Sequence, residues 1–359
     1  MNDRNGYTRR RAKLADVAKL AEVSYATVSR VLNTPEIVSP ELRERVRRAI
    51  TELSYHQDER ARSLKSGKSR AMGAVVPTLG VGIFADGVEA LQNRLSELGY
   101  SLLLANSQYN QQKELQEVQA LLSHGINGLV LVGDTALVDV YEAVRIYGVP
   151  CVLTYVCQSS HGLSAIGIDN FLAGSDLTQH LLRMGHRQFG IIANMATPND
   201  RVQARLDGAK TTLGQAGIQL PPGRIISVPH SLTNVANGRM ALRQLLARNP
   251  EITAVLCTTD TLAIGALAEC RSLGLVAPRD ISITGFDDIE LASQIDPPLT
   301  TVKVPAAEFG RLAADYLTAA VAGSSVQPSV QLPATLVVRG STGPVPTTRR
   351  SRRAAQALA

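Results

Sequence analysis

From Ala71 onward, short apolar runs alternate with amphipathic helical stretches, and this alternation restricts the larger part of the chain to an α/β architecture with parallel sheets and right-handed crossovers. Strands are expected at 72–76, 101–105, 129–132, 151–155, 189–193, 225–228, 254–257 and 281–286. Helices are expected between them at 88–98, 115–124, 172–184 and 261–273. Gly99, Gly125, Gly185 and Gly274 follow these helices, where the residue after the cap takes the left-handed conformation. A segment of about 270 residues is too long for one ordinary sheet, so two lobes with a cleft between them are expected.

The first 70 residues follow another rule. Leu14, Val17, Ala18 and Ala21 recur at helical spacing, a second short helix over 25–32 turns Val28 and Val31 inward, and only Glu22 to Ser24 separate the two. Ser39-Pro40 supplies an N-cap and a first-turn proline for a third helix that carries Leu42, Val46, Ala49, Ile50 and Leu53. Two helices joined by so tight a turn form a helix-turn-helix, whose second helix enters the DNA major groove.

Charge divides along the same line. Residues 1–70 hold 16 Lys and Arg against 9 Asp and Glu, residues 71–338 hold 16 against 22, and the last 21 residues hold 5 Arg and no acid. A basic head on an acidic body points to nucleic acid as a partner. Cys151, Cys157, Cys257 and Cys270 form no C-x-x-C pair and show no zinc spacing, so neither a metal nor a disulfide is expected. With no apolar run of membrane length and no apolar region behind the basic N-terminus, the sequence reads as cytoplasmic, with no membrane partner.

The stretches Leu14-Ala15-Asp16-Val17-Ala18, Val23 to Asn33 (VSYATVSRVLN) and Val38-Ser39-Pro40, followed by Leu53, Tyr55 and Ala61-Arg62-Ser63-Leu64-Lys65, closely resemble the head and hinge of the LacI/GalR family of bacterial transcription regulators. Gly285-Phe286-Asp287-Asp288 and Pro298-Leu299-Thr300-Thr301-Val302 extend the resemblance into the body. Thr258 to Gly274 and Gly167 to Gly174 resemble the family's gluconate-repressor branch. The family implies a helix-turn-helix domain over 13–56, a hinge helix over 57–70 and a two-lobed periplasmic-binding-protein-like body over 71–342; about the first 12 and the last 20 residues fall outside the resemblance, and 1–12 reads as a basic extension and 343–359 as a disordered basic tail.

On the recognition segment, Ser24, Tyr25, Ala26, Thr27, Ser29 and Arg30 are short polar or amphipathic groups able to reach phosphates or base edges. By resemblance, the positions of Tyr25, Ala26 and Arg30 read bases. Ala26 can only touch a thymine methyl or leave room, whereas a bidentate arginine on guanine discriminates by about 1–3 kcal/mol, which favours Arg30 as the carrier of specificity. Tyr25 has a second reading, as an aromatic that packs helix on helix. Leu14, Asn33 and Arg62 lie in the same matched stretches and complete the expected contacts. Leu64, an apolar residue in a polar basic stretch, fits the family's minor-groove wedge; its alternative is packing on the body. Two positions depart from the family: Glu22 replaces a glycine in the turn, at a cost of about 1 kcal/mol if φ is positive, and Gln57-Asp58 replaces Pro-Asn, which sets a carboxylate near a phosphate.

The body is expected to take a small-molecule effector at the carboxyl ends of its strands. By resemblance, contacts fall on Arg205 and Asp287, and further on Asp169, Phe171, Thr259 and Asp260; capping is the alternative for Asp287 and Asp260. Arg201 and Arg205, four apart at the start of a helix over 200–216, share one face and suit the carboxylate or phosphate of a sugar acid or phosphorylated sugar better than a neutral sugar; the alternative is an ion pair of Arg201 with Asp200 or Asp207. An enzyme fits poorly. Gly80-Val81-Gly82 follows a strand, but a dinucleotide loop would need glycine at Ala85, so no catalytic residue and no cofactor are expected. A solute-binding protein would share the body's fold but not the basic head. The sequence therefore reads as a ligand-responsive repressor, dimeric on palindromic operator DNA. The tail lacks the leucine heptads that would form a tetramer.

Overall fold

The computed structural model describes residues 12–55, 69–195, 199–229 and 235–346. The chain divides into two compact units, Met1–Ser69 and Arg70–Ala359.

The head contains α1 (Leu14–Leu20), α2 (Tyr25–Asn33) and α3 (Pro40–Glu52). Each start is fixed locally: the Lys13 amide donates to Asp16 Oδ2 at 2.7 Å, Ser24 Oγ accepts from Thr27 N at 3.1 Å, and Ser39 Oγ accepts from Leu42 N ahead of Pro40. Val17, Ala18, Ala21, Val28, Val31, Val46 and Ala49 close a small core. The turn between α1 and α2 contains Glu22 at φ 49°. Arg45 of α3 braces it, with Nε and Nη2 donating to Ala21 O at 3.1 and 2.7 Å and Nη2 to Glu22 O at 2.9 Å.

In the body, the first lobe is built on β1 (Ala71–Val76), β2 (Ser101–Asn106), β3 (Gly128–Val132), β4 (Cys151–Thr154) and β5 (Ser164–Gly167). Between them come α4 (Gly82–Glu97), α5 (Gln111–Ser123) and α6 (Val138–Tyr147). The second lobe follows: α7 (Asn170–Arg183), β6 (Phe189–Asn194), α8 (Asp200–Gln215), β7 (Ile225–Val228), α9 (Val235–Arg248), β8 (Ala254–Cys257), α10 (Asp260–Ser272), β9 (Ser282–Thr284) and α11 (Glu290–Gln294). The last elements are β10 (Thr301–Lys303), α12 (Ala306–Val321), β11 (Ser329–Gln331) and β12 (Thr335–Val337). The sheet orders are β11-β5-β4-β3-β1-β2 and β7-β6-β8-β9, with all strands parallel, while β10 and β12 form an antiparallel pair. The strand interiors read as continuous apolar runs because helices cover both faces.

The chain passes between the lobes three times. It leaves the first lobe after β5 and returns through β10 to α12, which packs on α4. After β11 has joined β5, the chain crosses again through β12 into the second lobe. There the Ile283 amide donates to Ser341 O, Gly343 N to Ser282 Oγ, and Val345 N to Met184 O. Residues 343–346 are thus packed against the body, which corrects the reading of the whole segment 343–359 as a disordered tail; 347–359 lie outside the described residues. Buried His186 holds the same strap, with Nδ1 bonded to Thr253 Oγ1 at 2.9 Å and Nε2 donating to Gly343 O at 3.0 Å.

Other expectations also shift. The helix expected at 88–98 begins at Gly82, inside the glycine-bearing stretch that resembled a loop. The strand expected at 151–155 stops at Thr154 because Tyr155 takes φ 66°, and that expected at 281–286 shrinks to Ser282–Thr284. Strands β5, β10, β11 and β12, each of three or four residues, were not anticipated.

Candidate functional site

Two places bring chemistry-bearing residues together, one in each unit. In the head, the start of α2 presents Tyr25, 58% exposed, with Ser24, Ala26 and Arg30 also exposed and Thr27 and Ser29 half-buried. Val28 and Val31, on the opposite side, are core residues, so amphipathicity alone turns the polar set outward. Exposure at that level excludes the packing alternative for Tyr25. Ser24 has a structural task as well, since its Oγ caps α2 and lies 2.8 Å from Thr27 Oγ1. Leu14 is half-buried against the head core, and Asn33 ends α2. Arg62, Leu64, Gln57 and Asp58 lie outside the described residues.

In the body, a cleft opens at the carboxyl ends of the strands. It is lined by Val81, Ile83, Phe84, Tyr109 and Tyr155 from the first lobe and by Asn194, Asn199, Arg201, Val202, Arg205, Thr259 and Asp287 from the second. Arg205 and Asp287 face each other there, with Arg205 Nη1 3.8 Å from Asp287 Oδ1. Arg205 is fixed by bonds from Nε to Asn170 Oδ1 (2.9 Å) and from Nη1 to Thr258 O (3.0 Å), and its guanidinium lies 3.5 Å over the Phe286 ring. Asp287 adopts φ 119°, a conformation that favours glycine. Such backbone strain at a cleft residue is characteristic of a functional position. Burial pushes its carboxyl up to about 8 against the pull of Arg205, so an added hydrogen-bond donor would be strongly favoured there. Burial likewise pushes the Tyr109 hydroxyl up to about 12 and Glu114, in the first turn of α5, up to about 7.

Of the sequence-read effector set, Arg201, Arg205, Thr259 and Asp287 come together in the cleft. Asp169, Phe171 and Asp260 do not line it. Asp169 caps α7 by accepting from Leu172 N at 2.9 Å, and Phe171, the second residue of that helix, is exposed. Asp260 is buried between Thr301 Oγ1 (2.6 Å) and Ile289 N (2.9 Å), tying α10 to the returning chain. The cap of α10 is Thr259, whose Oγ1 accepts from Leu262 N, and not Asp260. Arg201 does pair with Asp200, at 3.0 Å, but inside the protein, while Asp207 bonds Gln203. Sequence reasoning missed Tyr109, Tyr155, Asn194 and Asn199. Asn194 closes β6 and Tyr155 follows β4, so the strand-end rule applied to every strand would have found both. Among the described residues, no group of three or more His, Cys, Asp or Glu could hold a metal ion, and no helix is long and apolar enough to cross a membrane.

A DNA-reading helix in the head and a charged, two-lobed cleft in the body define a regulator that couples a small molecule to DNA. The family of bacterial regulatory proteins named for lacI matches residues 13–58, and the periplasmic binding protein-like domain matches 178–342. The chain belongs to the lacI family. It is 34% identical over 308 residues to the ribose operon repressor of Haemophilus influenzae, covering 85% of this chain and 91% of that one. It is 33% identical over 328 residues to the transcriptional regulator GntR of Pseudomonas aeruginosa, covering 91% and 94%. The crystal structure of the lac repressor dimer bound to operator and the anti-inducer ONPF superposes with a TM-score of 0.83 at 28% identity, covering 93% of this chain and all of that one.

Proposed function

We propose that the protein is an effector-responsive repressor of sugar or sugar-acid utilisation genes. It acts in the cytoplasm as a homodimer on palindromic operator DNA and catalyses no reaction. Arg30, Tyr25 and Ala26 meet bases in the major groove, with Ser24, Thr27, Ser29, Asn33 and Leu14 supporting the docking. The segment 57–70 serves as the hinge, where Arg62 contacts DNA and Leu64 wedges the minor groove. A sugar, sugar acid or phosphorylated sugar enters the cleft, hydrogen-bonds Asp287 and Arg205, and binds two arrangements of the lobes unequally; its differential affinity sets how far it can shift operator binding. The observation that carries this reading is the buried Arg205–Asp287 pair set at the mouth of the strands in a chain whose head is a helix-turn-helix.

Selection of duplexes from a random pool by the full chain should enrich a palindrome, and Arg30→Ala should relax preference at one base pair of each half-site. Selection that enriches nothing over background refutes the DNA-reading assignment. Operator affinity that no sugar, sugar acid or sugar phosphate alters refutes effector control.

A further inference from the structure

Two neighbouring residues at the start of α8, on the second lobe, are bonded to the backbone that leaves β3 on the first. Asp134 N donates to Asp200 Oδ2 at 2.6 Å, and Arg201 Nη1 donates to Val132 O at 3.2 Å. Gly133 sits between these anchors at φ 82°, and a Cβ added there would run into Arg201 Nη1 and come within 2.8 Å of Asp200 Oδ1. The Asp200 and Arg201 side chains are braced as one unit, with Nη1 to Oδ1 at 3.0 Å and the Arg201 amide to Oδ1 at 2.8 Å. The receiving loop is also held, because the Asp134 carboxylate accepts from Tyr141 Oη at 3.0 Å, Ser160 Oγ at 2.7 Å and Ser160 N at 2.5 Å.

Arg201 also lines the cleft, with its side chain only 7% exposed. Among the described residues only Nη1 of its guanidinium hydrogen-bonds, which leaves Nε and Nη2 for a ligand. A buried guanidinium with spare donors gains most from an ionised oxygen, on which it can make two short parallel bonds. The helix start itself adds little, because Asn199 and Asp200 already occupy the amides of Val202 and Arg201.

We propose that Asp200 and Arg201 form a latch between the lobes, and that Arg201 is the positioning residue through which an acidic effector tightens it. A carboxylate or phosphate on Nε and Nη2 fixes the guanidinium in the orientation that reaches Val132 O, so ligand charge is converted directly into lobe closure. The proposal rests on the reading of the cleft as the effector site.

The test compares the full-length wild type with Arg201→Met and Arg201→Lys. Amide exchange at Asp134 is followed without ligand, and calorimetry is run with D-gluconate and with D-glucose, its neutral counterpart of equal carbon number. In the wild type, gluconate binds at least about tenfold more tightly than glucose. Arg201→Met brings that ratio to about one and speeds Asp134 exchange about tenfold, and Arg201→Lys restores part of the preference. Unchanged Asp134 exchange in Arg201→Met overturns the latch. Equal wild-type affinity for the two compounds overturns the acidic class, and if glucose then releases operator the repressor reading stands. Operator binding that responds to neither compound, together with faster exchange in Arg201→Met, overturns gluconate as the effector while supporting the latch.

Discussion

Replacing Arg45 by alanine should unfold a measurable fraction of the head. The guanidinium donates three hydrogen bonds to the carbonyls of Ala21 and Glu22, and it does so at the turn where Glu22 is held at φ 49°. Hydrogen bonds to a charged group contribute about 1.5–3 kcal/mol, and because both carbonyls can rehydrate once the side chain is gone, the value of one such bond is the appropriate figure for the whole clamp. The strained φ already costs about 1 kcal/mol in the wild type, so the clamp guards a head with a reduced margin. Against this stands a core of small residues, Val17, Ala18, Ala21, Val28, Val31, Val46 and Ala49, and cores of this size rarely supply more than about 3–5 kcal/mol. Native-state hydrogen exchange at the Val28 and Val31 amides of the full-length protein reads the opening directly. Protection should fall by about 10- to 150-fold, the ratio that about 1.5–3 kcal/mol corresponds to. The double variant Glu22→Gly, Arg45→Ala should recover part of it by relieving φ. A loss under about threefold, or no recovery with glycine, would refute the view that the clamp and the strain oppose each other.

The remaining expectations concern the body and the assembly. Asp287→Asn should weaken effector binding about tenfold or more, measured by calorimetry, while Asp169→Asn, a change at a helix cap, should leave it within about twofold. Burial lowers the His186 pKa below its ordinary 6.5, so the unfolded chain takes up that proton first; thermal stability of the body should be complete above pH 6.5 and decline as pH falls below it, more steeply than in His186→Gln. Gly174→Ala would drive a Cβ into the Arg205 backbone where α7 meets α8, and should lower the melting temperature by several degrees, as a clash of about 1–3 kcal/mol would. Light scattering on the full chain should report a dimer, unchanged on deletion of 347–359; a stable tetramer lost on that deletion would contradict the assignment.

What the sequence revealed and what it hid divide along the range of the interactions involved. Helices α1, α2 and α3 were readable because Ser24, Ser39 and Pro40 mark their starts and the apolar spacing is local. The long parallel strands were readable because both faces are covered, which makes each an unbroken apolar run. Strands β11 and β12 carry no such pattern: Ser329–Gln331 and Thr335–Val337 are three residues long with no fully buried position, and become strands only because β5 and β10 lie beside them. The same limit applies to the cleft. Arg205 and Asp287 were visible from their stretches, but the bond that takes Arg201 to Val132 O joins residues 69 apart, and no spacing rule announces it.

The threefold passage between lobes bears on how the protein is made. The first lobe's sheet is completed by β11, and α4 is covered by α12, both of which are synthesised only after α7 to α11 of the second lobe. The second lobe waits in turn for Ser341 and Gly343 to fill the places beside Ile283 and His186. Neither lobe can therefore finish before the other has been made, so the two do not follow the usual order in which the earlier domain folds first and shelters itself. The nascent first lobe carries an open edge at β5 until β11 emerges, and a pairing between residues so far apart in sequence is slow to form. Topology of this kind therefore makes the folding of the body slower than its size alone would, because the edge of one lobe is closed by residues that follow the other.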